Sequence, residues 1–190
     1  EPTEGAELLH ELSDDDAADL IGELEPEDQD RILAQLPADE AGEIRDLLQY
    51  HEETAGGIMT TALVSVLGTV TAGEAIGVVR AQGREVEDFY TVFVVDDGAR
   101  LLGTVPLDDL ILANTNEPVQ NLVEPTVASV IPEADQEDVG HLIRRYNLPS
   151  IPATTEDGVL LGRVTFDDVI DVIEAETTED LLLFSGVSDE

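Results

Sequence analysis

The chain has 190 residues, 42% of them hydrophobic, enough apolar material for one large core or two to three small ones. Its 44 acidic residues face only eight basic ones, all arginine, giving a formal charge of −36. That excludes a nucleic-acid or anionic-membrane binder, because phosphate contacts need a basic patch. The absence of cysteine excludes disulfides, zinc–thiolate sites and thiol nucleophiles.

No apolar run approaches the roughly 18 residues of a membrane-spanning helix. The acidic start has no apolar signal segment and no initiator Met, so the chain is expected to be a fragment or processed product. The acidity has two readings. Most of it suits a surface adapted to concentrated salt, where screening acts within about 3 Å at 1 M. A specific divalent-cation site has to be argued residue by residue.

The first fifty residues repeat every twelve positions. Leu8, Leu20, Ile32 and Ile44 form one series, Leu12, Leu24, Leu36 and Leu48 a second, and Leu9, Ile21 and Leu33 a third. Apolar residues at i, i+1 and i+4 lie on one helical face. Ser13 before Asp14-Asp15-Asp16, and Pro26 and Pro37 ahead of acids, are helix-start signals. The expectation is a stack of short helices over residues 1–50, none able to bury its stripe alone. Residues 51–57, with Gly56 and Gly57, read as a linker.

Two similar passages follow. The first predicts a strand at Val64–Val66, a helix from Thr71 to Gln82, strands Tyr90–Val95 and Leu101–Val105 around Asp96-Asp97-Gly98, and a helix Leu107–Ala113. The second predicts a strand Ala128–Val130, a helix Gln136–Arg145, strands Ser150–Ala153 and Val159–Val164 around Glu156-Asp157-Gly158, and a helix Phe166–Glu176. Each is β-α-β-β-α, marginal alone at about 60 residues, so the two must pack together.

Asp96 to Gly103 with Pro106 to Ile111, and Glu156 to Gly162 with Thr165 to Ile170, resemble the recurrent text of CBS domains. Thr54 to Thr60 (TAGGIMT), Ala134 to Val139 (ADQEDV) and Val164 to Leu181 resemble the cytosolic part of MgtE-type magnesium transporters, and the helical repeat resembles that family's N-terminal domain. The fold class so implied is α+β, a helical superhelix followed by a tandem CBS pair. The domains are 1–50, the linker 51–57, 58–117, 118–176, and a connecting segment 177–190 toward the membrane.

The resemblance implies a homodimer joined through its CBS domains at the cytoplasmic face of the membrane. Mg2+ would bridge the N domain and CBS pair to close the pore of a transmembrane domain. Matched residue by residue, the family's ligands fall on Asp15, Asp19, Gly57 (a backbone carbonyl), Glu137, Asp168, Asp171, Glu176, Glu179 and Asp180. Magnesium takes hard oxygen ligands and keeps several waters, which suits acids facing each other between mobile domains. Asp15 and Asp19 lie one turn apart, Asp168 and Asp171 three residues apart, on shared faces. A solvated acidic helix would show similar spacings. Asn147 stands where the family often has Asp, Arg144 nearby offers only its carbonyl, and the helical domain is short, so the interface is expected to hold fewer ions.

The competing reading is an adenine-nucleotide (ATP or AMP) sensor, with Thr165 and Asp168 in the phosphate and ribose roles of a CBS pair. Pro106 and Asp108 in the first copy, and the charge, weigh against it. His10, His51 and His141 have no ligand or triad spacing, and no nucleophile elbow or phosphate-binding glycine loop is present, so no enzyme is expected.

Overall fold

The computed structural model describes residues 9, 12–84, 86, 89–170, 172 and 173. Helix α1 (Asp14–Gly22) opens on three acids, α2 (Pro26–Leu33) carries Pro in its first turn, and α3 (Ala38–Leu47) starts after Pro37. Acids near a helix N-terminus are favourable there, and proline loses no hydrogen bond in the first turn. Not every apolar series is buried. Leu9, Ile21 and Leu33 are inside, whereas Leu12, Leu20 and Leu24 are exposed. The helices are separate, and only the side of each that meets its neighbours and the second CBS copy is covered. Ile44 and Leu47 of α3 close that side.

In the first copy β1 (Ser65–Leu67) runs parallel to β2 (Thr91–Val95), which pairs antiparallel with β3 (Leu101–Pro106). Helix α4 (Ala72–Gln82) begins with a capping box between Thr71 and Glu74, and α5 (Leu107–Leu112) follows β3 directly. After a 3-10 turn at Val119–Asn121 comes the second copy: α6 (Gln136–Tyr146), then β4 (Ser150–Thr154) paired antiparallel with β5 (Leu160–Thr165). Residues 166–170 open the last helix, α7. The expected strand at Ala128–Val130 is reduced to one parallel bridge, Val130 to Ala153, so this sheet has two strands. In the hairpin turns, Ala99 takes the left-handed conformation in the first copy and Gly158 takes it in the second. In the first, Asp96 accepts from the amides of Gly98 and Arg100, which holds the turn without glycine at that place.

The chain crosses between copies. Thr60 and Arg163 exchange backbone hydrogen bonds of 2.9 and 3.0 Å, so the strand entering the first copy lies along β5 of the second. Reciprocally, Glu124, entering the second copy, pairs with Thr104 on β3. The two matched glycines permit these crossings: a Cβ on Gly162 would stand 2.6 Å from the Thr60 carbonyl, and one on Gly103 2.4 Å from that of Glu124. Residues 51–57, expected as a linker, are folded. Ala55 and Gly56 donate to the carbonyls of Ala134 and Pro132, and Gln136 donates to that of Glu53.

Two cores result. Val64, Val92, Val94, Val105, Leu110 and Val119 fill the first copy. Among the described residues the helical domain has no core of its own: Ile21, Ile44 and Leu47 belong to one cluster with Met59 of the crossing segment and Ile143, Ile151, Val164 and Val169 of the second copy. The helices are thus seated on the second copy by apolar burial, at about 1.5–3 kcal/mol for each large side chain.

Replacing Gly162 by Ala must push the Thr60 backbone off β5. The expected loss is roughly 1–3 kcal/mol, read as a lower midpoint in chemical denaturation. An unchanged midpoint would show that the crossing strand moves without cost.

Candidate metal site

Helix α1 enters the contact with the second copy at its N-terminal turn. Burying Ala17, Ala18 and Ile21 brings Asp15 in with them, and Asp15 is only 8% exposed. Asp19 follows one turn later on the same face. The 51–57 segment, tied down by Ala55 and Gly56, brings Glu52, Glu53 and Gly57 alongside. A Cβ on Gly57 would meet the His51 carbonyl at 2.4 Å, so only glycine lets this turn close so tightly. Asp168 comes from α7. The resulting cavity, about 410 Å³, is lined by Asp15, Asp16, Asp19, Glu52, Glu53 and Asp168, with Gly57, Ile58, Gln136 and Val172. None of these lining residues is basic.

The electrostatics follow. Burial pushes the Asp15 carboxyl up to about 6; the Ser13 side chain opposes this, and the charges of Asp168 and Asp14 add to it. Burial also raises Asp19, with Asp16, Glu52 and Asp168 adding repulsion. Asp168 is raised mainly by burial and drawn back by the hydroxyl and amide of Thr165, both of which donate to it. One oxygen of Asp15, Oδ1, is buried with no hydrogen-bond partner. A buried carboxylate with one oxygen unpartnered, among other carboxylates, calls for a counter-charge.

The donor set fits a hard, hydrated divalent cation. All the side-chain donors are carboxylates, and among the described residues no three acidic or histidine side chains converge closely enough to chelate a bare ion. Six waters fill about 180 Å³ at roughly 30 Å³ each, so the cavity has room for an ion that keeps much of its water shell.

Of the residues singled out from the sequence, Asp15, Asp19, Gly57 and Asp168 line this one cavity. Glu137 lies in the first turn of α6, next to the lining Gln136, its amide donating to the cap residue Asp135. Asp171, Glu176, Glu179 and Asp180 lie outside the described residues. The sequence reading missed Asp16, Glu52 and Glu53. Glu52 and Glu53 stood in a stretch taken for a linker, and only their proximity to TAGGIMT pointed to them. A second cavity, about 790 Å³, lies between α1, α3 and the Thr60–Leu63 strand; Arg163, Thr165, Asp167 and Asp168 also line it.

Residues 1–53 match the family described as the MgtE intracellular N domain, and residues 55–115 and 119–175 each match the CBS domain. The magnesium transporter MgtE of Enterococcus faecalis is 42% identical over 150 residues, 79% of this chain and 33% of that protein. A solved structure of the soluble part of a magnesium transporter is 40% identical with a TM-score of 0.87, covering 93% of this chain and 69% of that one. The cytosolic domain of the Mg2+ channel MgtE in complex with ATP is 35% identical with a TM-score of 0.85, covering 90% and 71%. The matched curated transporters are longer: the chain spans 33% to 41% of their length. These relatives are transporters or parts of them, not enzymes.

A raised carboxyl pKa means that the folded state binds a proton more tightly than the unfolded chain, so stability falls as pH rises from about 4 to 6. For Asp15 the shift from 3.8 to about 6 corresponds to a penalty on the order of 3 kcal/mol, present in full at pH 7. Without divalent cation, the seating of α1 should therefore be firmer at pH 4.5 than at pH 7.5. Asp15→Asn should remove most of that difference, as read by protease protection. Equal protection at both pH values in the parent would contradict the burial of Asp15.

Proposed function

The chain belongs to the MgtE magnesium-transporter family, an N domain followed by a CBS pair, and from that premise we propose that it is a magnesium-sensing module that gates the transporter's pore. The observation that carries this is the cavity of six acids and no base between α1, the 51–57 segment and α7. Asp15 is its buried and Asp168 its half-buried member, Asp19 lies at the exposed side one turn on, and Gly57 lines the same cavity.

At low free Mg2+ these carboxylates repel one another in a desolvated place, and the helical domain separates from the second copy. Mg2+, when bound, supplies the missing positive charge and accepts carboxylate and water oxygens. Asp15 and Asp19 hold it from the helical side, Asp168 from the CBS side, so the docked state gains through its differential affinity. Asp171, Glu176, Glu179 and Asp180, outside the described residues, are further acidic ligands in this reading. The module works at the cytoplasmic face as a homodimer. The exposed apolar residues Ile111 and Leu112 of α5, with Phe166 and Ile170 of α7, support pairing through the CBS domains.

A second reading, adenine-nucleotide binding, is favoured by the roughly 790 Å³ cavity lined by Thr165, Asp168 and the cations Arg84 and Arg163. It also has the ATP complex of a relative behind it. ATP would act there alongside Mg2+ as a modulator of the same seating.

Small-angle scattering across a magnesium titration in several-molar KCl tests the first reading. The radius of gyration should fall with Mg2+, and the combined Asp15→Asn, Asp168→Asn variant should weaken that dependence by at least roughly 10- to 100-fold, the effect of losing even a group that only supports a metal ligand. A flat titration in the parent sinks magnesium sensing. ATP shifting the magnesium midpoint in the parent but not in Thr165→Val supports the nucleotide reading.

A further inference from the structure

Asp14 and Asp15 are adjacent acids in the same helical turn with opposite surroundings. Asp15 carries a buried oxygen with no partner. The Asp14 carboxylate is saturated: Oδ1 accepts the Thr60 hydroxyl and the Asp15 amide (3.1 Å), and Oδ2 accepts the Thr61 amide (2.7 Å) and the Thr61 hydroxyl. Three of these four donors lie 46 or 47 residues away in sequence. Thr60 is itself 5% exposed and locked to Arg163 on β5 by backbone hydrogen bonds in both directions. Each of these four donors is neutral, so none of these four bonds depends on a cation.

We propose that Asp14 is a positioning residue, a cation-independent clamp that fixes the N-terminal turn of α1 on the Thr60-Thr61 strand and thereby sets how much magnesium is needed to seat the helical domain. This deepens the sensing reading and rests on it for the magnesium part. Successive helix positions are rotated by about 100°. Pinning Asp14 against the crossing strand therefore determines that Asp15 and Asp19 face the acid cavity. Hydrogen bonds to a carboxylate are the stronger kind, and the three from Thr60 and Thr61 exist only in the docked state. The clamp works against the repulsion around Asp15. With it the docked state lies within reach of a modest cation affinity, and without it the cation must supply the whole difference.

Charge and clamp predict opposite signs. If Asp14 acted only as one more negative charge beside Asp15, Asp14→Ala would make docking easier. On the clamp reading, Asp14→Ala and Thr61→Val both raise the magnesium midpoint of compaction, by roughly threefold to tenfold each. Their double variant should be clearly less than additive. Thr61→Ser, which keeps the hydroxyl, should return the parent midpoint and shows that valine has not simply disturbed folding. A second arm uses no magnesium: in EDTA and several-molar KCl, proteolysis of α1 should be faster in Thr61→Val than in the parent.

An unchanged or lowered midpoint in Asp14→Ala, or parent-like behaviour of Thr61→Val in both arms, overturns the clamp. If magnesium has no effect on the parent while Thr61→Val still loosens α1 in EDTA, the clamp stands and magnesium sensing falls.

Discussion

Everything at the contact between the helical domain and the second CBS copy depends on one conflict: the apolar face of α1 can be buried only by taking Asp15 with it. Ile21, Ala17 and Ala18 gain from leaving water, while Asp15 is desolvated beside Asp168 and Asp19 with no basic side chain lining the cavity. The rise of the Asp15 carboxyl from 3.8 to about 6, caused first by burial, corresponds to a cost on the order of 3 kcal/mol. That is the size of the gain from burying one or two large apolar side chains. Terms so evenly matched make a docked state whose population a counter-ion can decide. A contact built only of leucine and isoleucine would stay shut, and one built only of acids would never form.

The rest of the fold determines what such a contact can move. The helical domain shares a core with the second copy alone, so docking loads that copy and leaves the core of the first intact. The crossing strands then tie the copies to each other through Thr60 on β5 and Glu124 on β3, with Gly162 and Gly103 leaving room for the passing backbone. Asp168 lies three residues after β5 ends, and Thr165 at the end of that strand holds its carboxylate. A change at the acid cavity is therefore felt at the same place where the two copies interlock.

The acidity as a whole is a different matter from the cavity. An exposed pair such as Arg31 with Asp28 is worth at most about 1 kcal/mol and less in salt. Screening within about 3 Å at 1 M removes long-range repulsion between surface acids. It does less for Asp15, which is only 8% exposed. A charge of −36 drew attention to cations, but burial and the lack of a partner are what separate a few acids from the other forty or so.

The local elements were legible in the chain because their causes are local: proline and acids at helix starts, Asp-Gly turns between strands, glycine where backbones cross. The duplicated text pointed to the CBS pair, and TAGGIMT, ADQEDV and the 164–181 stretch to the family; of the positions carried over from it, Asp15, Asp19, Gly57 and Asp168 line one cavity. Tertiary structure decided what no spacing encodes. It selected the Leu9, Ile21 and Leu33 series for burial and left Leu20 outside, because only one side of the helical stack meets the second copy. It turned the supposed linker into a wall of the cavity, since the pairing of Ala55 and Gly56 with Ala134 and Pro132 joins residues almost eighty positions apart. And it gave neighbouring aspartates opposite roles: sequence records two identical side chains, and only the packed chain shows that Asp14 is satisfied by Thr60 and Thr61 while Asp15 keeps one buried oxygen unpartnered.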